Sequence, residues 1–539
     1  MSNKSISRLK VKNNWWEIFQ GNTKRIFESR ILPKYIKTCR WFGSKALNIK
    51  RINIVENILI GEDKSDARLL FLNVEYFKNI KEMYLLPITF SQSEERTDKT
   101  IAYLNTSSKK GRIFDAVNDK KFQNYLLLMI KNSLKIKGKN GIISAYSGKY
   151  LNKFNLVNLT LRDSRVLTAQ QSNSSILYDK HLLFKLFRKL SEGMNPDFEI
   201  TKYISENTNF SNVPPFAGYM EYKKGKSEII IGMLQGFIPN QGDAWEYTVD
   251  SIGKYYKKIL NRNGKLEKQL ENYYSIPDND KKTPTFVQEL IGKNYINMIK
   301  ILGKRTGELH LALSSDSSNN NFTPEQITYN YQKSVVFSMK NLTKKVFGFL
   351  KGHYKNINRD LKNDADNILQ NEKRIMEYYE KLLKKRISAT KIRIHDDYHL
   401  GQVLYTGKDF VIIDFEGEPA RMLKERRLKK SPIKDISGML RSFHYATYNA
   451  LFIQSLSEKN VVLLEPWADI WYECISRVFL NSYFKTVKNA SFIPKKKEDT
   501  ETLLNAFLIE KAVYELGYEL NNRPDWVIIP LKALRHFTK

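Results

Sequence analysis

Between Ile394 and Glu418 the chain reads IHDDYHLGQVLYTGKDFVIIDFEGE. Two adjacent carboxylates, Asp396 and Asp397, follow a histidine. Gln402 comes five residues after Asp397, and Asp414 and Glu416 come after an apolar run. TGKD supplies a turn between VLY and FVIID. Folding the chain back at that turn sets Gln402 within about one residue of Asp414. Asp397 lies on the loop entering the first strand. The spacing predicts that Asp397, Gln402 and Asp414 meet at one end of a small buried hairpin, with Glu416 just beyond. Oxygen donors gathered in this way suit a hard cation such as Mg²⁺. A carboxylate beside them suits phosphoryl transfer, where a base must orient the attacking hydroxyl and take its proton. A His-Asp-Asp loop, or an acid after a buried strand, is commonplace alone as a turn or cap. The weight lies in having both, in order, joined by a hairpin.

His395-x-Asp397-x4-Gln402, then Asp414-Phe415, follows the order of the kinase motifs H-x-D-x4-N and D-F-G. In that order Asp397 is the base, and Gln402 and Asp414 are metal ligands. Glutamine keeps the amide oxygen of the usual asparagine on a side chain one methylene longer. The same chemistry needs an upstream Lys on a strand to hold ATP phosphates, and a Glu on the next helix to hold the Lys. Lys185 in LLFKLFRKL and Glu199 in NPDFEI fit, since a charge within an apolar strand is costly unless paired. The phosphate-covering loop is then QQSNSSI (170–176), with Ser172, Asn173 and Ser174 as candidates, although it lacks G-x-G-x-x-G. MLQGFIPNQGDAW (233–245), with Gln235 and Phe237, falls at the expected hinge, where backbone could meet adenine.

The elements that must position these residues follow from periodicity. ARLLFLNVEYF and MYLLPITFSQ read as strands, and FQNYLLLMIKNSLKIK as a helix. LVNLTLRDSRVLTA, SSILYDKHLLFKLF and EIIIGMLQGFI read as strand-rich. One helix starts near NPDFEITKYISE, with Asn195 as cap and Pro196 early in its first turn. After residue 240 helical period dominates, interrupted by the polar segment 272–285 and by the hairpin. The expected class is α+β: a cap domain over 1–150, a kinase-like N-lobe over 151–240, and a helical C-lobe over 241–539 with the hairpin and a sugar-binding region.

Composition sets bounds. The 539 residues are 42% hydrophobic with only two cysteines, Cys39 and Cys474. That argues against a disulfide framework and fits a reducing compartment. The N-terminal stretch has no apolar run of signal-peptide length, and no run is long enough to cross a bilayer. A cytoplasmic protein is expected, with no membrane partner. The net charge of +32 is large, but the lysines are dispersed. KERRLKK (424–430) and PKKKED (494–499) read as solvated loops, with no zinc-finger or RNA-binding signature beside them. No nucleic-acid partner is expected.

Taken together, RWFGSK (40–45), QSNSSI, FKLFRKLSEGMNPDFEI, LQGFIPNQGDAWEY, RTGELHLAL (305–313), HDDYHLGQVL, VIIDFEGEP and YELGYELNNRPDW resemble the bacterial maltokinases across nearly the whole chain. These are relatives of the aminoglycoside phosphotransferases with a bilobal protein-kinase-like fold. The resemblance implies ATP-dependent phosphorylation of maltose at its anomeric hydroxyl, giving α-maltose 1-phosphate for α-glucan (glycogen) synthesis. It also implies ATP and Mg²⁺ as cofactors and a functional association with trehalose synthase. Asp397 then looks like the base, Gln402 and Asp414 like Mg²⁺ ligands with Glu416 nearby, and Lys185 and Glu199 like the phosphate-binding pair. Glu515, Tyr518, Glu519, Asn522, Arg523 and Trp526 look like sugar-binding residues. Their chemistry agrees: Glu515 and Glu519 share a helical face, and carboxylates, amides and rings are what sugars need. Four positions depart from the family pattern: Asp396 in place of a usual Gly, Ser44 and Ala46 in the RWF motif, and Ala533 for a frequent Gly. The alternatives are a kinase for glucosamine or glucose, and a catalytically silent kinase-like binding protein.

Overall fold

The computed structural model describes residues 6–77, 79–93, 99–154, 163–167, 172–262, 266, 270, 273, 284–419, 421–454 and 458–538. Gln170 and Gln171, the start of LVNLTLRDSRVLTA and most of 272–285 lie outside these residues. The chain divides into two compact units. One is Met1–Asn207 with Pro214–Pro239, and the other is Thr208–Val213 with Asn240–Lys539.

The first unit holds two sheets. In one, β1 (Arg8–Lys10), β2 (Ile49–Ile60), β3 (Ala67–Tyr76), β4 (Lys81–Ser91), β5 (Thr100–Asn105) and β6 (Lys110–Asp115) run in the order β1-β5-β6-β4-β3-β2. Only β1–β5 is parallel there among the described pairs. The helical segments of 15–36 cover one face, burying Trp15, Phe27, Leu32, Trp41 and Phe42 against Leu70, Leu72 and Tyr84. The second sheet contains β7 (Lys135–Lys137), β8 (Ile142–Ser147), β9 (Ser164–Leu167), β10 (Ser174–Tyr178) and β11 (Leu182–Leu186). After the two-residue strand β12 (Lys189–Leu190) come β13 (Phe216–Lys224) and β14 (Ser227–Gly236), giving the order β7-β8-β13-β14-β11-β10-β9. β12 leaves this sheet and pairs with β4 of the first. Asp179 and Lys180, both with positive φ (47° and 57°), lie in the three-residue connection between Tyr178 and Leu182, closed by His181 N donating to Tyr178 O at 3.0 Å.

The helix read into FQNYLLLMIKNSLKIK ends at Lys131. Ser133 takes φ 49° and the chain then becomes β7. An Asn-Ser turn, followed by the alternating KIK, overrides the longer helical pattern.

The second unit is helical. Its long members are Ala244–Leu260, Lys293–Leu313, Tyr329–His353, Ile433–Gln454, Glu458–Thr486 and Lys497–Asn522. One core joins the 329–353 helix to Lys497–Asn522 through Val346, Phe347, Leu350, Ala506, Ile509 and Val513. Set among them are β15 (Val403–Tyr405) and β16 (Phe410–Ile412), an antiparallel pair in which Val403 faces Ile412. Among the described residues no helix is long and apolar enough to cross a membrane.

Candidate active site

In the first unit, Lys185 sits in the middle of β11, opposite Ser175 of β10 and Met233 of β14. Both faces of β11 are buried. An ammonium there requires a partner, and its Nζ lies 2.8 Å from Asp197 Oδ2. The sequence pattern points to Glu199, two residues on, and does not distinguish Asp197. Both acids are buried in the first turn of the helix Pro196–Asn207, where the helix dipole favours negative charge. The Asn195 side chain caps that helix, accepting from Phe198 N at 3.1 Å. Ser174 opens β10 opposite Leu186, next to Lys185 in register. Asn173 Oδ1 accepts from the Arg188 N–H at 3.4 Å and Asn173 Nδ2 donates to Ser172 Oγ. The Ser174 hydroxyl accepts from Arg188 Nε at 2.8 Å. Ser172, Asn173, Ser174 and Lys185 are thus gathered at one end of the β10–β11 hairpin. Gln235 lies opposite Leu183, and Phe237 N donates to His181 O at 2.7 Å.

In the second unit the hairpin forms at TGKD, with Gly407 at φ 91° and the Asp409 carboxylate held by Arg305 at 2.7 and 3.0 Å. Ile413 N donates to Gln402 O, and Gln402 Nε2 to Asp414 Oδ2 at 3.1 Å. The two residues therefore face each other at the hairpin end. Asp414 adopts φ 66°, a conformation costing roughly 1–3 kcal/mol outside glycine and concentrated at functional sites. His395 Nε2 donates to Ile413 O at 2.9 Å, tying the loop that bears Asp397 to the strand that leads to Asp414.

That loop is anchored from below by Asp435, in the first turn of the helix Ile433–Gln454. Its carboxylate accepts from His395 N (2.8 Å), Asp396 N (2.9 Å) and His310 Nε2 (3.1 Å), all buried. The same helix comes so close that a Cβ on Gly438 would stand 2.6 Å from Tyr398 O.

Asp397 itself is partly exposed. Lys511 Nζ lies 3.5 Å from its Oδ1 and His399 Nε2 lies 4.0 Å from its Oδ2. His399 Nδ1 accepts from Gly401 N at 3.1 Å, so the ring proton sits on Nε2, facing Asp397. Burial pulls the His399 pKa below its usual value and favours this neutral form. Burial also opposes the Lys511 ammonium, but Asp397, Glu515 and Glu418 outweigh it and raise its pKa.

Lys511 belongs to the helix Lys497–Asn522, one turn before Glu515. Glu515 Oε2 accepts from Arg441 Nε at 2.8 Å, and Arg441 Nη2 lies 2.7 Å from the same oxygen as an ion-pair contact. Burial nevertheless raises its pKa, with Arg441 and Lys511 pulling the other way. Glu519 accepts from Arg523 at 2.6 and 2.8 Å and from the Tyr445 hydroxyl at 3.2 Å. The Arg523 guanidinium lies over Trp526, 4.5 Å from the ring centre, and 5.6 Å from that of Tyr518. Trp526 runs nearly parallel to Tyr445, at 19°. Asn522 stays apart, exposed and donating to Tyr518 O. Asp397, Lys511 and Glu515, all partly exposed, are followed along the helix by the buried Glu519, with Arg523 and the Trp526 ring beyond it.

The donor set at the hairpin end fits a hard cation. An amide oxygen and two carboxylates, from Gln402, Asp414 and Glu416, are the ligand types such an ion takes. Gln402 spends its nitrogen on Asp414 and keeps its oxygen as the ligand atom.

Residues 35–119 match the family model of the maltokinase N-terminal cap domain. Glucosamine kinases from Streptacidiphilus jiangxiensis and Mycolicibacterium smegmatis are similar over 144 and 141 residues, at 24% and 25% identity. Each stretch is 26% of this chain and 30% or 33% of the relative, so the match spans about a third of those proteins. The solved glucosamine kinase in complex with glucosamine, ADP and inorganic phosphate has a TM-score of 0.61 at 13% identity, covering 93% of this chain and 98% of its own. A crystal form of glucosamine kinase gives 0.60 at 14% identity, over 90% and 91%. The chain therefore has an α+β, bilobal protein-kinase-like fold preceded by an α+β cap. More particularly, the part of that cap over residues 35–119 is similar to the maltokinase N-terminal cap domain.

Proposed function

We propose that the protein transfers the terminal phosphoryl group of ATP to the anomeric hydroxyl of maltose, giving α-maltose 1-phosphate. The observation that carries this reading is the maltokinase cap domain on a chain whose Asp397 adjoins the Lys511–Glu515–Glu519 strip. Lys185, held by Asp197, and the Ser172–Ser174 backbone and side chains receive the ATP phosphates, and the backbone at Gln235 to Phe237 meets the base. Glu199, in the same helical turn as Asp197, supports the Lys185 end. Gln402, Asp414 and Glu416 hold Mg²⁺, which supplies charge neutralisation at the phosphates when bound. Asp397 orients the sugar hydroxyl and takes its proton late, because a loose transition state asks little basicity of it. Lys511 fixes one oxygen of Asp397; the other, which His399 Nε2 approaches only to 4.0 Å, meets the hydroxyl.

Tyr518 and Trp526 offer rings to the apolar faces of the sugar, and Glu515, Glu519 and Arg523 bond its hydroxyls. Both acids of this helix already carry an arginine. A neutral sugar suits them better than the ammonium of glucosamine, which would need a carboxylate of its own. The product would feed α-glucan synthesis, beside a trehalose synthase that supplies maltose. Phosphorus NMR of the protein with ATP, Mg²⁺ and maltose tests the reading. A sugar-phosphate resonance is expected from the wild type and a loss of about 10²-fold or more from Asp397→Asn. Product from glucosamine or glucose and none from maltose would overturn it.

A further inference from the structure

Asp396 is a buried acid directly before Asp397, with φ 65° and a side chain 1% exposed. Non-glycine residues reach this conformation rarely, and a buried carboxylate persists only with partners. Its partners come from the chain beyond the hairpin. Lys430 Nζ donates to Asp396 Oδ2 at 2.5 Å, and Lys434 Nζ lies 3.8 Å from Oδ1. The Lys430 backbone also pairs with Ile392 in both directions, at 2.8 and 3.0 Å. Segment 421–430 is thus stitched to the strand entering the Asp397 loop by backbone, and to the loop itself by a buried ion pair. Gly417 packs against the same side chain, its Cβ position 3.6 Å from that of Asp396.

We propose that Asp396 and Lys430 are positioning residues: their buried ion pair clamps segment 421–430 against the loop carrying Asp397 and so fixes the direction of that carboxylate. This rests on the reading of Asp397 as the group that meets the sugar hydroxyl. The clamp works through Asp397 and touches no substrate.

The surroundings make the clamp responsive to pH. Lys430 faces Asp396 on the loop, Lys434 on the helix Ile433–Gln454 and Arg421 on its own segment. Behind these stand Glu510, within 3.5 Å of Lys434 and 3.7 Å of Arg421, with Asp435 and Tyr331 at the edges. Burial pulls Lys430 down to about 8; Lys434 and Arg421 push the same way and Asp396 opposes them. Asp396 stays below its usual value because Lys434, Lys430 and Arg421 together outweigh its burial. The pair is therefore charged on both sides below about pH 8 and loses its ammonium above it.

The test combines kinetics between about pH 6 and 9 with hydrogen exchange of the peptide 392–398, for wild type, Lys430→Arg, Lys430→Met and Asp396→Asn. In the wild type kcat falls on the alkaline side with a midpoint near 8, the value set by Lys430. Lys430→Arg, whose guanidinium stays charged, moves that limb upward by about one unit or more. Lys430→Met and Asp396→Asn lower kcat about tenfold at neutral pH with KM within about twofold, flatten the limb, and speed exchange in 392–398 alone. Wild-type kcat in Lys430→Met, an unmoved limb in Lys430→Arg, or a rate loss matched by faster exchange throughout the second unit would overturn the proposal. Should Lys430→Met not fold, wild type against Lys430→Arg decides. Should no sugar be phosphorylated by the wild type, the functional reading fails by itself. Exchange then judges the clamp, faster in Asp396→Asn supporting it and unchanged refuting it.

Discussion

Asp435→Asn probes the scaffold beneath the candidate base. The carboxylate takes three buried donors: Asp396 N on Oδ1, and His395 N and His310 Nε2 on Oδ2. Asparagine has one acceptor oxygen and one NH₂. Whichever way it turns, at least one of these donors meets another donor. An orphaned buried donor costs roughly 1–3 kcal/mol, and the remaining bonds lose the extra strength of a charged acceptor. About 2 kcal/mol is a conservative sum, and at ~1.4 kcal/mol per tenfold it makes local opening of the loop about thirtyfold more frequent. Hydrogen exchange of the peptide spanning 392–398 should accelerate by about that factor, with the helix Tyr329–His353 unaffected. kcat should fall tenfold or more, since small displacements of a reacting group are amplified in rate. Exchange in 392–398 within about twofold of wild type would refute the claim that Asp435 holds the loop.

Other perturbations have equally definite outcomes. Lys185→Met takes the ammonium from a buried Asp197; a stability loss of about 3–5 kcal/mol and weaker ATP binding by calorimetry are expected. Gly438→Ala drives a Cβ toward Tyr398 O, so kcat and the melting temperature should both drop. Gly348→Ala, with open space on its own helix, should be neutral or stabilise by up to ~1 kcal/mol. Burial and the neighbouring Glu465 raise Asp469 to about 6. Its folded value lies above its unfolded one, so its stabilising share is complete near pH 4 and is lost as pH rises through about 6. Asp469→Asn should therefore raise stability by about 2 kcal/mol at pH 7.5, with the gain vanishing near pH 4, as read from paired melting curves.

The hairpin and Lys185 were legible because each depends on local pattern: a Gly turn between two apolar triplets, and a lone charge within a buried strand. The Asn195 cap was legible for the same reason. Asp197 was not singled out, because two acids in one helical turn are equivalent to a reader who cannot see which way the turn faces β11. Asp435 and Lys511 lie 38 and 114 residues from Asp397. A helical Asp near an N-terminus and a Lys beside a Glu look like a cap and a solvated pair. Only tertiary packing shows the first collecting buried amides and the second reaching a loop. The Arg441 partner of Glu515 was likewise hidden, because it comes from another helix; Arg523, one helical turn after Glu519, is within reach of sequence spacing. At Asp396 the sequence shows an acid where the family pattern has Gly; that it takes φ 65° and turns its charge toward Lys430 and Lys434 could be read only from the fold.

Arg188 bears on whether the cap could ever have been a removable part. Its guanidinium, 1% exposed, donates to Asp115 at 2.6 Å and to Leu85 O at 3.3 Å, and lies over Trp41. The next two residues extend the edge of the cap's sheet at β4. Deleting the first hundred-odd residues would leave a guanidinium with its counter-ion gone and a strand with nothing to zip onto. The boundary between the two folds is therefore not a seam along which recombination could cut cleanly. A lineage that shed the cap would have had to rewrite the turn after Lys185 at the same time.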